Sequence, residues 1–214
     1  MTWVLGIDTS HYVAAGLAHE GQPVDAIVVP DTRAHLEELM PSVQELLRRN
    51  DLDMGQLRAV AVGMGPGPFT GLRVGIAAAE TLAASLQLEL HRVCSLDVLA
   101  AQWDTTPREF VVASDARRKE LYWARYVEGR RVDSPQVSPP SRLPMLPVIG
   151  AVPEEYRQLI HWQATGPEHL DPALLAARAD TLPAASDEPY YLRPADATVG
   201  GAPKSALPRL RARR

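Results

Sequence analysis

Two aspartates follow apolar strands at corresponding places in the chain, and a pair of carboxylates can hold a magnesium-bound nucleotide. Asp8 ends the run WVLGID, and Asp115 ends the run FVVASD. If the two runs belong to facing units, their aspartates would contact Mg-ATP from opposite sides. Thr9 and Ser10, which follow the first aspartate, are candidate contacts to the same nucleotide. The alternative is that Asp8 is a hydrogen-bonded turn residue without a ligand.

A glycine-rich segment, AVGMGPGPFTGLRVG (61–75), lies between an apolar run and a helical pattern, where many proteins bind phosphate. A phosphate-binding P-loop needs a lysine after its last glycine, and this segment contains no lysine. The dinucleotide fingerprint would need glycine at 65, 67 and 70, and position 70 is threonine. The segment therefore matches neither nucleotide-binding pattern, and only a weak anion contact at the helix start stays open.

Small residues recur every four positions through this segment and beyond it, at Gly67, Gly71, Gly75, Ala79 and Ala83. This spacing places them along one face of a helix. Because glycine inside a helix costs up to about 1 kcal/mol relative to alanine, the position at 75 needs a packing reason. The face packs either on the protein's own sheet and preceding helix or on a helix of another subunit. Both can hold on opposite faces.

The sequence predicts no catalytic residue and no metal site. It contains six histidines, none within three to five residues of another, and a single cysteine, Cys94. Zinc-binding patterns need several such ligands at short spacing. The G-x-S-x-G signature of a serine nucleophile is also missing.

Composition indicates an ordinary globular α/β protein of 214 residues, with 46% hydrophobic and 22% charged residues. The lone cysteine excludes an internal disulfide and favours a reducing compartment. The start MTWVLGIDTS lacks the basic region of a signal peptide, and no apolar run reaches the roughly 20 residues of a membrane span. We expect a cytoplasmic protein that does not associate with membranes.

Two basic segments contrast with a formal net charge of −4. The run Arg117, Arg118 and Lys119 follows the second aspartate, and we interpret it as an exposed hairpin tip in preference to a phosphate clamp. The tail 195–214 contains five basic residues and one aspartate. We interpret it as a solvated, flexible tail in preference to an RNA-contacting arm.

The order of elements indicates a tandem duplication. A strand ending in aspartate, a hairpin partner and a turn occur twice, and the turns read EGQPVD (20–25) and EGRRVD (128–133). Helical patterns alternate with strands after the first copy, whereas the second copy is shorter and rich in proline. We predict a first unit at 1–106, a smaller second unit at 107–194 and the tail.

Six segments in the same order resemble the TsaB (YeaZ) family: GIDTS, RAHLEELMPSVQELL, GMGPGPFTGLRVG, SLDVLA, DARRKELYWA and YYLRPADA. The resemblance runs from about residue 4 to 197. It implies two RNase H-like lobes of the actin-like, Hsp70-like ATPase (ASKHA) class, with the second lobe reduced. This agrees with the duplication inferred from the sequence.

The resemblance also implies a function. TsaB is the non-catalytic scaffold of the tRNA threonylcarbamoyltransferase complex, which forms threonylcarbamoyladenosine beside the anticodon of tRNA. It pairs with the catalytic paralogue TsaD and helps to recruit the ATPase TsaE, so ATP and Mg belong to the complex and no cofactor is held tightly by this chain. TsaD has a metal-binding H-x-x-x-H where this chain reads CSLDV (94–98).

In the family, two helices of the first lobe pair with TsaD, and they correspond to 33–49 and 70–86 here. These helices, together with the glycine at position 67 before the second helix, contain the predicted interface residues: Leu36, Leu39, Met40, Val43, Leu47, Gly67, Gly71, Leu72, Gly75, Ala79 and Ala83. The same helices would allow a homodimer of the isolated chain. Pro68 replaces the family's usual serine, which removes one possible anion contact. The alternative function is an autonomous ATP-binding enzyme, an ATPase or small-molecule kinase of the same fold.

Overall fold

The computed structural model describes residues 2–30, 35–103 and 107–193, and the first of its two sheets has five strands. These are β1 (Trp3–Asp8), β2 (Val13–His19), β3 (Gln22–Val29), β4 (Leu57–Gly63) and β5 (Glu89–Val93). Their order across the sheet is β3-β2-β1-β4-β5. The first three form an antiparallel meander, and β4 and β5 run parallel to β1, which requires helical crossovers between them.

Two helices cover one face of this sheet, α1 (His35–Arg49) and α2 (Phe69–Leu86). Their apolar residues and those of the strands form the largest buried cluster, which includes Leu46, Leu72 and Ile7. Helix α2 ends at Gln87, whose left-handed backbone (φ 56°) stops the helix. Among the described residues, no helix has the length and apolar character that a membrane crossing requires.

Two short helices come late in the chain, α4 (Glu154–Arg157) and α5 (Pro172–Arg178). Helix α5 packs on the opposite face of the same sheet. Glycines in β1 and β2 make room for it. A Cβ atom at Gly6 would lie 2.2 Å from the Pro172 carbonyl oxygen, and one at Gly16 would lie 2.2 Å from the Ala173 nitrogen. Although α5 belongs to the predicted second unit (107–194), it therefore packs on the sheet of the first.

The second sheet repeats the first in a shorter form. Its strands are β6 (Glu109–Asp115), β7 (Leu121–Val127), β8 (Arg130–Arg131), β9 (Gln136–Ser138) and β10 (Val148–Ile149). β6 and β7 are antiparallel, as β1 and β2 are, and β10 runs parallel to β6, as β4 does to β1. The order β10-β6-β7-β8 matches four neighbouring strands of the first sheet.

The two hairpin turns singled out in the sequence have the same backbone conformation. Glu20 and Gly21 join β2 to β3 with φ of 50° and 73°, and Glu128 and Gly129 join β7 to β8 with φ of 49° and 74°. Two successive left-handed residues are typical of the two-residue hairpin turn that follows strand twist. The E-G pair therefore occurs in both turns at the two positions that adopt the left-handed conformation.

Parts of the predictions lie outside the described residues. These parts are the first two residues of the predicted helix 33–49, the side chain of Leu36 and the basic tail 195–214. The helix is otherwise confirmed from His35, and the second predicted helix, 70–86, begins one residue earlier than expected. The predicted domain boundaries stay predictions.

A buried ion pair joins the two sheets. Asp97, in α3 (Ser95–Ala101), is 3% exposed, and its Oδ1 accepts hydrogen bonds from the Tyr126 hydroxyl at 2.7 Å and Arg131 Nε at 2.8 Å. The same guanidinium donates to the Tyr190 hydroxyl at 3.3 Å, and the Tyr190 backbone N–H donates to Met64 of the first unit. We call these side chains the Asp97 cluster. It links the helix after β5 to β7 and β8.

We predict that Asp97→Ala lowers the free energy of unfolding by about 3 kcal/mol, because it leaves the Arg131 guanidinium largely buried without its carboxylate. Urea denaturation would measure the loss. Asp133→Ala is the matched control: its partner Arg125 lies 3.1 Å away, but both side chains are more than 40% exposed, so the expected loss is below about 1 kcal/mol. Equal losses in the two variants would contradict a structural role for the Asp97 cluster.

Candidate functional site

The carboxylate of Asp8 is buried and hydrogen-bonded within the protein. Its Oδ1 accepts from the backbone N–H (2.8 Å) and hydroxyl (2.6 Å) of Ser10, and its Oδ2 accepts from the Ser95 hydroxyl at 2.6 Å. Ser95 Oγ in turn accepts from the Gly65 backbone N–H at 3.1 Å. Burial raises the pKa of Asp8 above its usual value, against the opposite effect of the hydrogen bonds from Ser10 and Ser95. These contacts agree with the alternative interpretation of the sequence, in which Asp8 is a hydrogen-bonded turn residue.

The structure does not place the two strand-ending aspartates in one cavity. Asp8 and Ser114 line a cavity of about 30 Å³ between the sheets, and Asp115 is not among its lining residues. Asp115 instead accepts a hydrogen bond from the Arg117 backbone N–H at 2.8 Å. A cavity of this volume holds about two water molecules, whereas drug-sized ligands occupy several hundred Å³. The nucleotide contact of these aspartates stays a prediction, and Asp115 does not line the cavity that Asp8 lines.

The small-residue face of α2 packs on the turn between β1 and β2. Thr9 Oγ1 donates to the Gly71 carbonyl oxygen at 2.8 Å, although the two residues are 62 positions apart. A Cβ atom at Gly75 would lie 2.2 Å from Thr9 Oγ1, and one at Gly67 would lie 2.6 Å from the Ser10 carbonyl oxygen. The glycines therefore admit the protein's own turn, which was one of the two packings that the sequence allowed.

Most of the predicted interface residues have side chains or Cα positions that are buried inside the first unit, and as partner contacts they stay a prediction. The buried ones are Leu39, Val43, Leu47, Gly67, Gly71, Leu72, Gly75, Ala79 and Ala83. Met40 is half-buried, and the side chain of Leu36 is not described. Helical spacing identified the buried face of each helix and not its outer face.

The outer face of α2 carries mostly small residues. We define it by the exposed Thr70, Arg73, Ala77, Glu80, Thr81, Ala84 and Ser85 and the half-buried Val74 and Ala78. The Thr81 hydroxyl donates to the Ala77 carbonyl oxygen at 2.7 Å, so it is already engaged within the helix. This face lies roughly opposite the glycines, because successive helical residues are about 100° apart.

Aromatic residues adjoin this outer face at the start of α2. The rings of Phe69 and Tyr191 are 4.8 Å apart, and the Arg73 guanidinium lies 5.3 Å from the Phe69 ring centre. Tyr191 is 38% exposed. Phenylalanine, tyrosine and arginine are enriched in protein–protein interfaces relative to other surface. Sequence reasoning missed these residues because Tyr191 comes from a distant part of the chain.

The neighbouring surface of α1 is polar. Its exposed residues include Glu37, Glu38, Gln44 and Arg48, and the Arg48 guanidinium pairs with Glu45 at 2.8 Å. Helices α1 and α2 lie side by side. A partner that covers both helices would therefore meet a small, apolar helix beside a charged one.

The segment 94–98, which reads CSLDV, lies in the interior. Cys94 and Val98 are fully buried, and burial, with Asp97 nearby, raises the pKa of the Cys94 thiol to about 12. The thiol donates to the Gly65 carbonyl oxygen at 3.3 Å. Within the described residues, no group of three or more metal-ligating side chains is assembled.

We predict that Gly75→Ala destabilises the protein by about 1–3 kcal/mol, because the new methyl group overlaps the Thr9 side chain. Thr9→Ala alone should cost about 1 kcal/mol through the lost hydrogen bond to Gly71. In the Thr9→Ala background, Gly75→Ala should cost much less than it does alone, because the 2.2 Å overlap with Thr9 Oγ1 is removed and only a 3.1 Å contact with the Cβ atom of residue 9 is left. A double-mutant cycle by urea denaturation measures this coupling, and additive losses would contradict the packing.

Sequence comparison relates the chain to known proteins. The family model described as "TsaD: tRNA N6-adenosine threonylcarbamoyltransferase" matches residues 28–156. An uncharacterized protein of Mycobacterium tuberculosis is 39% identical over 201 residues, which cover 91% of this chain and 93% of that protein. The tRNA threonylcarbamoyladenosine biosynthesis protein TsaB of Escherichia coli is 34% identical over 125 residues, which cover 58% of this chain and 54% of TsaB.

Solved structures have the same fold. A Pseudomonas aeruginosa protein described as similar to peptidase YEAZ has a TM-score of 0.72 and 30% identity, covering 90% of this chain and all of that one. YeaZ from Pseudomonas aeruginosa has a TM-score of 0.67 and 29% identity over 83% of this chain and 91% of its own. The ethanolamine utilization protein EutJ of Carboxydothermus hydrogenoformans has a TM-score of 0.50 and 14% identity, covering 84% of this chain and 89% of its own. This likeness shows the fold alone.

The fold is therefore α/β, with two RNase H-like lobes of the ASKHA class and a smaller second lobe. The matched family model covers more than half of the chain, and the TsaB and YeaZ relatives agree with it in sequence and structure. The chain belongs to the family that this model describes and, within these relatives, to the TsaB (YeaZ) family.

Proposed function

We propose that this chain is a non-catalytic subunit in the formation of threonylcarbamoyladenosine on tRNA. Its TsaB relatives are described as biosynthesis proteins for this modified nucleoside. In the proposed role it pairs with the TsaD transferase, helps to recruit TsaE and serves as a scaffold while the partner performs the transfer. The outer face of α2, with the adjacent outer face of α1, is the proposed contact with TsaD.

The single observation that carries this proposal is the composition of the outer face of α2. Of its nine residues, only Arg73 and Glu80 are charged, and five are alanine, serine or threonine with exposed side chains. Short side chains let a second helix approach closely, and a surface with few charges loses little hydration when it is covered. Monomeric proteins rarely expose an extended apolar helix face without a partner.

The same face would also allow two copies of the isolated chain to pair, since it could pack on itself about a two-fold axis. In the proposed complex TsaD occupies it instead. The charged surface of α1 would then determine orientation and partner choice, because like charges brought together across an interface disfavour wrong partners.

We further infer that the isolated chain holds no nucleotide tightly and that ATP and Mg²⁺ are used by the complex. The support is the small cavity between the sheets and the engagement of Asp8 by Ser10 and Ser95. Calorimetry of the isolated chain with Mg-ATP should detect no micromolar binding. Micromolar binding with turnover would favour the alternative, an autonomous ATP-binding enzyme.

We predict that Ala77→Glu abolishes pairing with TsaD, or weakens it at least tenfold, because a carboxylate in the centre of the outer face of α2 would be desolvated by the partner helix. Co-purification and titration calorimetry of the two chains would measure the effect. Ala77 is exposed, so the melting temperature should stay within a few degrees of the parent.

Ala164→Glu provides the matched control, since this alanine is also exposed but lies in a turn between β10 and α5. It should leave pairing unchanged. Normal pairing of the Ala77→Glu variant, at unchanged stability, would refute the proposed contact surface.

A further inference from the structure

The hairpin between β6 and β7 has a backbone that its residues do not favour. Arg117, Arg118 and Lys119 have φ of 60°, 53° and 63°, so three successive residues adopt the left-handed conformation. Glycine and asparagine adopt this conformation far more readily than arginine or lysine does. Three basic side chains thus occupy positions at which other residues would give a more stable turn.

Contacts at its base hold this hairpin tip in place. The Asp115 carboxylate accepts from the Arg117 backbone N–H at 2.8 Å, and the Glu120 backbone N–H donates to the Arg117 carbonyl oxygen at 3.0 Å. The Arg193 guanidinium donates to that same carbonyl oxygen at 3.4 Å and to the Glu120 carboxylate. Strained backbone persists where the surrounding structure determines it, and such sites are concentrated in functional regions.

The hairpin tip is positively charged on a protein that is negative overall. Its basic residues, with Arg193, contribute four positive charges, and Asp115 and Glu120 contribute two negative charges. The local sum is +2, whereas the whole chain carries −4. All three basic residues of the tip are exposed, and the Arg117 side chain is 68% exposed. An anionic partner would therefore be attracted to this tip and repelled by the chain as a whole.

We propose that the hairpin tip, Arg117 to Lys119, contacts the phosphate backbone of the tRNA on which the complex acts, a proposal that rests on the function proposed above. Arginine and lysine on a fixed loop bind phosphates and set the position of a nucleic acid without reading its bases. The tip itself, Arg117 to Lys119, includes no aromatic residue, so it contacts phosphates and provides no platform for base stacking. The tip positions the tRNA, and recognition of the target adenosine belongs to the partner.

The test uses the full chain in complex with TsaD and a fluorescently labelled tRNA transcript that has adenosine beside the anticodon. The variant is R118N/K119N, because asparagine removes the charge and suits the left-handed backbone. Each phosphate contact changes the slope of log K against log salt by about 0.9, so losing two should make it shallower by about 2. Affinity at 0.1 M salt should fall at least tenfold, while the melting temperature equals or exceeds that of the parent.

Three controls separate a phosphate contact at the tip from a general effect of charge and from a loss of pairing with TsaD. Arg118→Lys keeps the charge and should retain binding. Arg130→Asn removes an exposed charge beside the other hairpin turn of this sheet and should leave affinity and slope unchanged. Pairing of R118N/K119N with TsaD should be normal, since neither residue belongs to the outer face of α2.

Unchanged tRNA affinity and salt slope in R118N/K119N would overturn the proposal, as would an equal loss in Arg130→Asn. Loss of pairing with TsaD or TsaE in place of tRNA affinity would show a protein contact and also overturn it. If the parent chain itself failed to join TsaD, the proposed function and this inference would both fall. If the parent complex formed and bound tRNA while the tip variants behaved normally, only this inference would fall.

Discussion

The close packing of the β1–β2 turn on α2 is the contact from which the rest of the arrangement follows. Thr9 reaches the helix only because Gly71 and Gly75 lack side chains, and its hydroxyl satisfies a helix carbonyl. The preceding residue, Asp8, is thereby held where Ser95 can donate to it. One turn thus connects the end of β1, the middle of α2 and the start of α3.

This contact occupies the region in which an open α/β sheet most often binds a ligand. Such sites lie beyond the carboxyl ends of parallel strands, where the strand order reverses. Here β1 and β4 are those strands, and Asp8, Ser95 and Gly65 bond with one another at their ends. The cavity that Asp8 and Ser95 line has a volume of about 30 Å³. The chain's own side chains therefore make the hydrogen bonds at the ends of these strands.

Sequence patterns predicted the architecture well because it depends on local and periodic signals. The E-G turns, the strand-ending aspartates and the helical spacing each correspond to an element in the structure. The predicted partner residues of α2 lie on its buried side, because a small-residue stripe indicates close packing without naming the neighbour. Leu72 and Ile76, beside the glycines, were a usable signal, since large apolar residues mark the face toward the protein's own sheet.

Other features depend on contacts between distant positions, which periodicity cannot report. Asp97 lies in the apolar run SLDVLA, and its pairing with Arg131 joins residues 34 positions apart. The hairpin tip was expected from its charge, but its left-handed backbone and the contact from Arg193 were not.

Helix α2 is constrained on both sides, and this explains its unusual composition. Its inner face must lack side chains where Thr9 approaches, and we infer that its outer face must stay small where a partner helix approaches. A helix with alanine, glycine and threonine on two faces has few large side chains to stabilise it, so its stability depends on Leu72, Ile76 and the sheet beneath. The Asp97 cluster adds stability from the opposite side of the junction by fixing the second sheet to the first. Such rigidity suits the proposed scaffold role, because a partner binds a preformed surface more tightly than one that must first become ordered.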